Sequence, residues 1–375
     1  MRKEFIYLGC LLVVFNVNAK EIFYKDKAKL ELYGKVDSLR YFSDGKSEDG
    51  DMSYFRLGFR GETKINDKMT GYGRWEYNIL TNQTEDTGDN AWTRLAYAGL
   101  KHHLWGAVDY GRNYGILYDV EGYTDMLPEF GGNSYTQSDV FMTGRTHGVL
   151  TYRNKDLFGL VEGLNIGLQY QGKNDNSSDC GDCSAPALAR QNGEGYGGSL
   201  SYDSEMGISI AASLAVSDRT KEQKEEHNHN VQFSSGDKAR AWSTGMKYNA
   251  NRVYMAAMYA ETRNMTTYGI VDSNDRGGVA GETRNIEVTL QYQFDSGVRP
   301  ALSYIASYAK KIHSPYGDEK YLVRYVDVST TYHWNKNIST YVDYQINLLD
   351  TNDVFYSENG ITTDNIVAVG LVYQF

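Results

Sequence analysis

The chain has 375 residues, of which 38 are glycine, 32 tyrosine and only 4 proline, and its formal net charge is −10. That acidic balance argues against nucleic acid as a partner, because a binder of polyanions shows a basic patch; 3 cysteines exclude a disulfide-built scaffold. An aromatic share of 13% is too high for a disordered chain, and no apolar run of about 18 residues follows the N-terminus, so helical membrane spans are excluded.

The first element is residues 1–19, MRKEFIYLGCLLVVFNVNA. Arg2 and Lys3 open it, an apolar run covers Phe5–Phe15, and small or neutral residues follow to Ala19. This is the layout of a secretory signal peptide, and the run is too short for a membrane anchor. Cys10 is an implausible lipoprotein site, since cleavage there would fall inside the run. The exported chain is then residues 20–375. Without Arg2, Lys3 and Glu4 its net charge moves from −10 to −11.

From there on, side chains alternate in character with a period of two, which is the period of a strand. Phe55, Leu57 and Phe59 alternate with Arg56, Gly58 and Arg60. Trp75, Tyr77 and Ile79 alternate with Arg74, Glu76 and Asn78. Further along, Ile166, Leu168 and Tyr170 alternate with Asn165 and Gln169, and Val342, Tyr344 and Ile346 with Tyr341, Asp343 and Gln345. The last segment carries Val367, Val369, Leu371, Tyr373 and Phe375 on one face. Sixteen such segments begin near residues 28, 52, 69, 91, 105, 146, 163, 194, 206, 239, 251, 283, 298, 321, 338 and 364. A soluble β-sandwich would also alternate. Against it stand the arginines on the polar parity and the aromatic ends of the apolar parity, which suit a crowded lumen and interfacial girdles. The expected fold is all-β, a closed 16-stranded antiparallel transmembrane barrel. Closure is needed because an open sheet edge in lipid leaves backbone groups unpaired.

Connections alternate short and long. Short ones, such as Asn66-Asp67-Lys68 and Asn335–Asn337, carry turn residues. Long ones include Asn82–Asn90, Lys173–Gly193, Asp218–Lys238, Asn264–Glu282 and Thr351–Thr363. Tight periplasmic turns and long external loops give this alternation. The connection over residues 114–144 is long enough to be functional in its own right. It holds Pro128 and the pair Gly131-Gly132, which permits a tight reversal.

Several stretches carry a resemblance to a known family. They are LELYGKVD at Leu30–Asp37, YFRLGFRGET at Tyr54–Thr63, TGYGRWEYN at Thr70–Asn78 and TRLAYAGLK at Thr93–Lys101. DYGRNYG at Asp109–Gly115, leading to PEFGG at Pro128–Gly132, is the most specific. FGLVEGLNIGLQYQGKN, STYVDYQINLLD and the terminal TDNIVAVGLVYQF complete them. The chain resembles the general bacterial outer-membrane porins of the OmpC, OmpF and PhoE type over its whole exported length. The resemblance implies a homotrimer of barrels, each a water-filled pore for passive diffusion of ions and small hydrophilic solutes. It implies that residues 114–144 fold inward and narrow the pore.

Carried over position by position, the resemblance puts Asp125 and Glu129 on the acidic side of the constriction. It puts Lys35, Arg56, Arg94 and Arg145 on the basic side. Parity independently places Lys35, Arg56 and Arg94 toward the lumen. Opposed rims of charge across a narrow waist set selectivity by diameter and field. Two positions depart from the family pattern. Asn133 stands where an aspartate is frequent and Arg74 where a glutamine is frequent, so the waist gains positive character. The acidic chain and loops still favour a weak preference for cations. Between subunits, the resemblance implies that Glu85 approaches Arg112 of a neighbouring barrel.

Other signals are weaker. Cys180 and Cys183 form C-x-x-C in a long loop, and in an oxidising compartment a disulfide is the expected state. A zinc site with His227 and His229 lacks the spacing of a metal centre. Gly193, Gly195 and Gly198 spell a dinucleotide fingerprint, but in an alternating strand with no helix after it. No catalytic arrangement is expected, and no cofactor or metal. Partners other than lipid and lipopolysaccharide are phages or bacteriocins at the external loops. The competing function is a barrel whose loops act mainly as a receptor or adhesin.

Overall fold

The structure is a computed structural model and describes residues 20–25, 27–86, 88, 90–175, 187–269 and 277–375. The expected signal peptide and the pair Cys180 and Cys183 lie outside the described residues.

Sixteen antiparallel strands close into one barrel. In chain order they are β1 (Ala28–Phe42), β2 (Tyr54–Lys64), β3 (Met69–Leu80), β4 (Ala91–His102), β5 (Gly106–Tyr114) and β6 (Arg145–Asn154). There follow β7 (Leu164–Gln171), β8 (Gly195–Asp203), β9 (Ile208–Asp218), β10 (Lys238–Ala250) and β11 (Val253–Arg263). The last five are β12 (Glu282–Tyr292), β13 (Val298–Ser314), β14 (Gly317–His333), β15 (Ile338–Asn347) and β16 (Ile366–Gln374). Each pairs with its sequence neighbours, and β1 pairs with both β2 and β16. The seam runs from Lys35 opposite Gln374 to Phe42 opposite Val367. Gly34 and Phe375 exchange two backbone hydrogen bonds of 3.0 Å at its end. Beyond that point the strand Lys20–Lys25 pairs with residues 28–32 and continues along the same edge of β1.

The alternation of burial inverts that of a soluble protein. Along β9 the buried positions include Ser209, Ser213 and Ser217, whereas Ile210 and Leu214 are exposed. Along β12, Thr283, Asn285, Glu287, Thr289 and Gln291 are buried while Ile286, Val288 and Leu290 are exposed. Polar groups face a shared interior and apolar ones face outward, as a barrel in lipid requires and a sandwich does not. The interior groups satisfy one another across strands, with Ser213 and Ser243 hydroxyls 2.7 Å apart and Ser307 donating to Asn285 at 2.7 Å.

One end has short turns and the other has folded loops. At the loop end Thr267–Tyr268 pairs with Gly278–Val279. Tyr268, Ile312, Leu322, Leu349, Phe355 and Tyr356 bury one another there. The helix Val354–Asn359 is capped by the Asp353 carboxylate on Phe355 N–H and ends at Gly360, whose φ of 65° is the left-handed C-cap conformation. β14 begins at Gly317, earlier than the expected start near residue 321. The β13–β14 hairpin is long, with 17 residues in each strand and only Pro315 and Tyr316 between them, and Ile312 and Leu322 pack it into the loop cluster.

Candidate functional site: the lumen and its inward loop

Between the end of β5 at Tyr114 and the start of β6 at Arg145, the chain turns back into the barrel. A single helical turn, Tyr118–Glu121, leads the segment. Ile116, Leu117, Val120, Tyr123, Tyr135 and Met142 are buried together against Ala211, Ala215, Ala239, Ala241, Ala256 and Ala260. Those alanines occupy the inward parity of β9, β10 and β11, and their small side chains leave the volume that the loop fills. The far part of the loop hangs from the strands that continue this wall, β12, β14 and β15. Glu287 accepts from the Thr124 hydroxyl at 2.8 Å and from Ser134 N–H at 2.9 Å. Asp343 accepts from Glu129 N–H at 3.0 Å, and the Tyr325 hydroxyl accepts from Gly131 N–H at 3.0 Å. The reversal falls at Gly131 and Gly132, with φ of 96° and 58°.

Of the basic residues named from the sequence, Lys35, Arg56, Arg74 and Arg94 lie on the wall where β1–β4 run side by side, and Arg145 opens β6. Lys35 and Arg56 are cross-strand partners, as are Arg60 and Arg74. Each has a defined partner. Lys35 pairs with Asp37 at 2.9 Å, and Arg56 donates to the Asn78 side chain at 3.2 Å. Glu76 is only 4% exposed and holds two guanidiniums at once, Arg94 at 2.7 Å and Arg74 at 2.8 Å. The Tyr33 hydroxyl, 2.9 Å from the same carboxylate, also accepts from Arg74. Arg94 reaches this cluster from a bulge, because Glu76 opposes Leu95 and Tyr77 opposes Thr93, leaving Arg94 as the extra residue. Arg145 donates to the Ser138 hydroxyl at 2.9 Å.

On the loop side, burial pushes the Asp125 carboxyl above its ordinary value. The hydrogen bond from Tyr118 pulls it back, the charge of Glu287 adds to the rise, and the charges of Arg145 and Arg94 oppose it. Burial likewise raises Glu129, against a hydrogen bond from Tyr41 and the charge of Lys35. Glu121 is fully buried, and burial together with the neighbouring Glu287 holds it well above the carboxylate range. Asn133, the departure noted above, accepts from the Tyr325 hydroxyl at 2.8 Å and helps to suspend the loop. Arg112 forms a two-pronged pair with Asp139 at 2.6 and 2.8 Å and donates to Thr93 C=O at 3.0 Å. Burial would raise Asp139, but its hydrogen bonds from His147 and Arg112 more than reverse this and hold it well below the usual range. Glu85 lies in the loop after β3 and is exposed.

Sequence reasoning did not single out Glu287, Tyr325, Glu121, Tyr33 or Asp37. Glu287 had a detectable trace, an acid on the inward parity between Ile286 and Val288. His227 donates through Nδ1 to Phe233 C=O at 2.6 Å.

The family model described as Gram-negative porin matches residues 25–375. The chain belongs to the Gram-negative porin family. Among curated relatives it is 56% identical to outer membrane protein S2 of Salmonella typhi, over 99% of this chain and 98% of the relative. It is 54% identical to outer membrane porin N of Escherichia coli (strain K12), again over 99% and 98%. Among solved structures it is similar to the Salmonella typhi OmpF complex with daunomycin, at 43% identity and a TM-score of 0.84 over 94% of this chain and 99% of that one. This porin is a protein of the bacterial outer membrane and forms a general diffusion channel.

Proposed function

We propose that the waist of this porin lies between Asp125 and Glu129 on the inward loop and Lys35, Arg56, Arg74, Arg94 and Arg145 on the wall. The hydrogen bond to the Glu129 carboxylate from Tyr41 of β1, the strand that carries Lys35, fixes the loop against the basic wall and carries this reading. A solute in the gap meets fixed charge of opposite sign on its two flanks. Water is ordered by that field, so a dipolar solute that aligns with it passes more readily than an apolar one that must displace the water. No bond is made or broken, and the chain acts without catalysis.

Small-ion preference is weakly cationic. Glu76 offsets Arg74 and Arg94, and Asp37 offsets Lys35, so the wall is less positive than its arginine count suggests. Reversal potentials in a salt gradient across a planar bilayer test this, and a clear anion preference would overturn it. The functional unit is a homotrimer in which Glu85 reaches a neighbouring barrel. Arg112 already holds Asp139 in its own chain, so Glu85 would complete a three-group cluster rather than form a new pair. Residues 1–19 are removed on export. The external loops contact lipopolysaccharide and supply the surface that phages or bacteriocins would use.

A further inference from the structure

The basic wall does not stop at the waist. Inward positions along β2 recur every second residue, from Arg56 through Gly58, Arg60 and Glu62 to Lys64 at the short-turn end. Gly58 marks this face as lumenal, because a Cβ there would meet the Tyr33 ring that reaches Glu76. Lys64 is opposite Thr70 on β3, and Thr70 is opposite Lys101 on β4. Lys101 shares the parity of Gly99, whose added Cβ would meet the lumenal Tyr72 ring. The turns add Lys68 and His103. Together with Asn66, Asp67 and Thr70 these groups line a groove of about 180 Å³. A water molecule takes about 30 Å³ of liquid, so the groove has room for a phosphate group with part of its hydration shell.

Among the described residues, no carboxylate lies within ion-pair distance of Lys64, Lys68 or Lys101, whereas Lys35, Arg74, Arg94 and Arg153 each hold one. Three exposed ammoniums and one imidazole converge on a groove with a single carboxylate, Asp67, in its lining. Glu62 is one inward step away and exposed. Lys64 is four residues from Arg60, about 13 Å along an extended strand, so the cations form a spaced series from the waist to the mouth.

We propose that Lys64, Lys68, Lys101 and His103 form an anion site at the periplasmic mouth that takes the phosphate group of phosphorylated small solutes or inorganic phosphate. The inference rests on the pore reading, since only a conducting lumen delivers solute to this mouth. A compact polyanion is held by several ammoniums at once, whereas a chloride ion meets only weak single contacts. Monovalent preference is set at the waist, and retention of multivalent anions at the exit.

The test is single-channel recording in potassium chloride across a zwitterionic bilayer, with inorganic phosphate and then tripolyphosphate added to each side in turn. The native channel should show a drop in current and added open-channel noise at lower concentration from the turn side than from the loop side. The combined K64Q, K68Q and K101Q variant should need about tenfold more polyanion for half the effect. The single K101Q variant should fall between the two, and D67N should need less than the native channel. Equal block in native and triple-variant channels overturns the site. A native channel that conducts potassium chloride and ignores both anions overturns the site and leaves the pore intact. A barrel that carries no potassium chloride current overturns the pore reading itself. Anionic lipid added to the bilayer should leave the block unchanged, and its abolition would assign the cluster to lipid headgroups and overturn the solute site.

Discussion

Glu76 is the residue on which the waist depends most, and Glu76→Gln separates its two effects. The carboxylate binds Arg94 at 2.7 Å and Arg74 at 2.8 Å while 4% exposed. Removing one member of a buried pair costs about 3–5 kcal/mol because the other charge is stranded. Glutamine keeps one acceptor oxygen, so the lower end, about 3 kcal/mol, is expected for the loss in unfolding free energy. The second effect is on permeating ions. At about 8 Å in water one unit charge changes an ion's energy by about 0.5 kcal/mol, a factor of about two. It acts in opposite directions on cation and anion, which gives about a fourfold change in permeability ratio, reduced to about twofold by screening at 0.1 M salt. The reversal potential in a potassium chloride gradient should therefore move toward anion preference by that factor. A variant that conducts normally with an unchanged reversal potential would refute the placement of this carboxylate beside the permeation path.

Other expectations follow from the same geometry. Gly58→Ala puts a methyl 2.3 Å from the Tyr33 ring and should lower stability by about 1–3 kcal/mol; adding Tyr33→Ala should recover part of the loss in thermal unfolding. The raised Glu121 carboxyl binds its proton more tightly in the folded than in the unfolded chain, so its contribution to stability falls as pH rises above the ordinary carboxylate value of about 4.3. The difference in melting temperature between pH 5 and pH 8 should shrink in Glu121→Gln, and an unchanged difference would remove Glu121 as its source. Asp139 has the opposite sign, since its depressed value supports the loop above pH of about 4 and that support is lost on acidification. Asp139→Asn should reduce protection of the loop backbone in hydrogen exchange at neutral pH. Arg56→Ala should raise single-channel conductance and cation preference together, and no change in either would move Arg56 out of the waist.

The strands were legible because each has one face in lipid and one in a polar lumen, which forces a strict period of two. The same parity places Lys35, Arg56 and Arg74 on the lumen wall. Parity also names Arg94, which does reach Glu76 in the lumen, although the bulge that seats it there leaves no mark on hydropathy. The start of β14 was missed because Gly317–Lys320 stands clear of lipid and needs no alternation. Loop anchoring was invisible for another reason. Glu129 and Asp343, which form one of its bonds, are 214 residues apart, and nothing local in either stretch announces the other. The inward alanines of β9–β11 make the complementary case, since small residues there mean little until the loop that they accommodate is in place.

The seam between β1 and β16 bears on the order of events during assembly. β1 is made first, yet its partner edge along Lys35–Phe42 is satisfied only by the strand made last. Until Ile366–Gln374 arrives, that edge exposes backbone donors and acceptors that lipid cannot satisfy. The barrel therefore has no stable partly inserted state that lacks β16, and closure is the longest-range and slowest pairing the chain must make. An exported chain must be kept from lipid, or have its open edge covered by another protein's strand, until both ends are present.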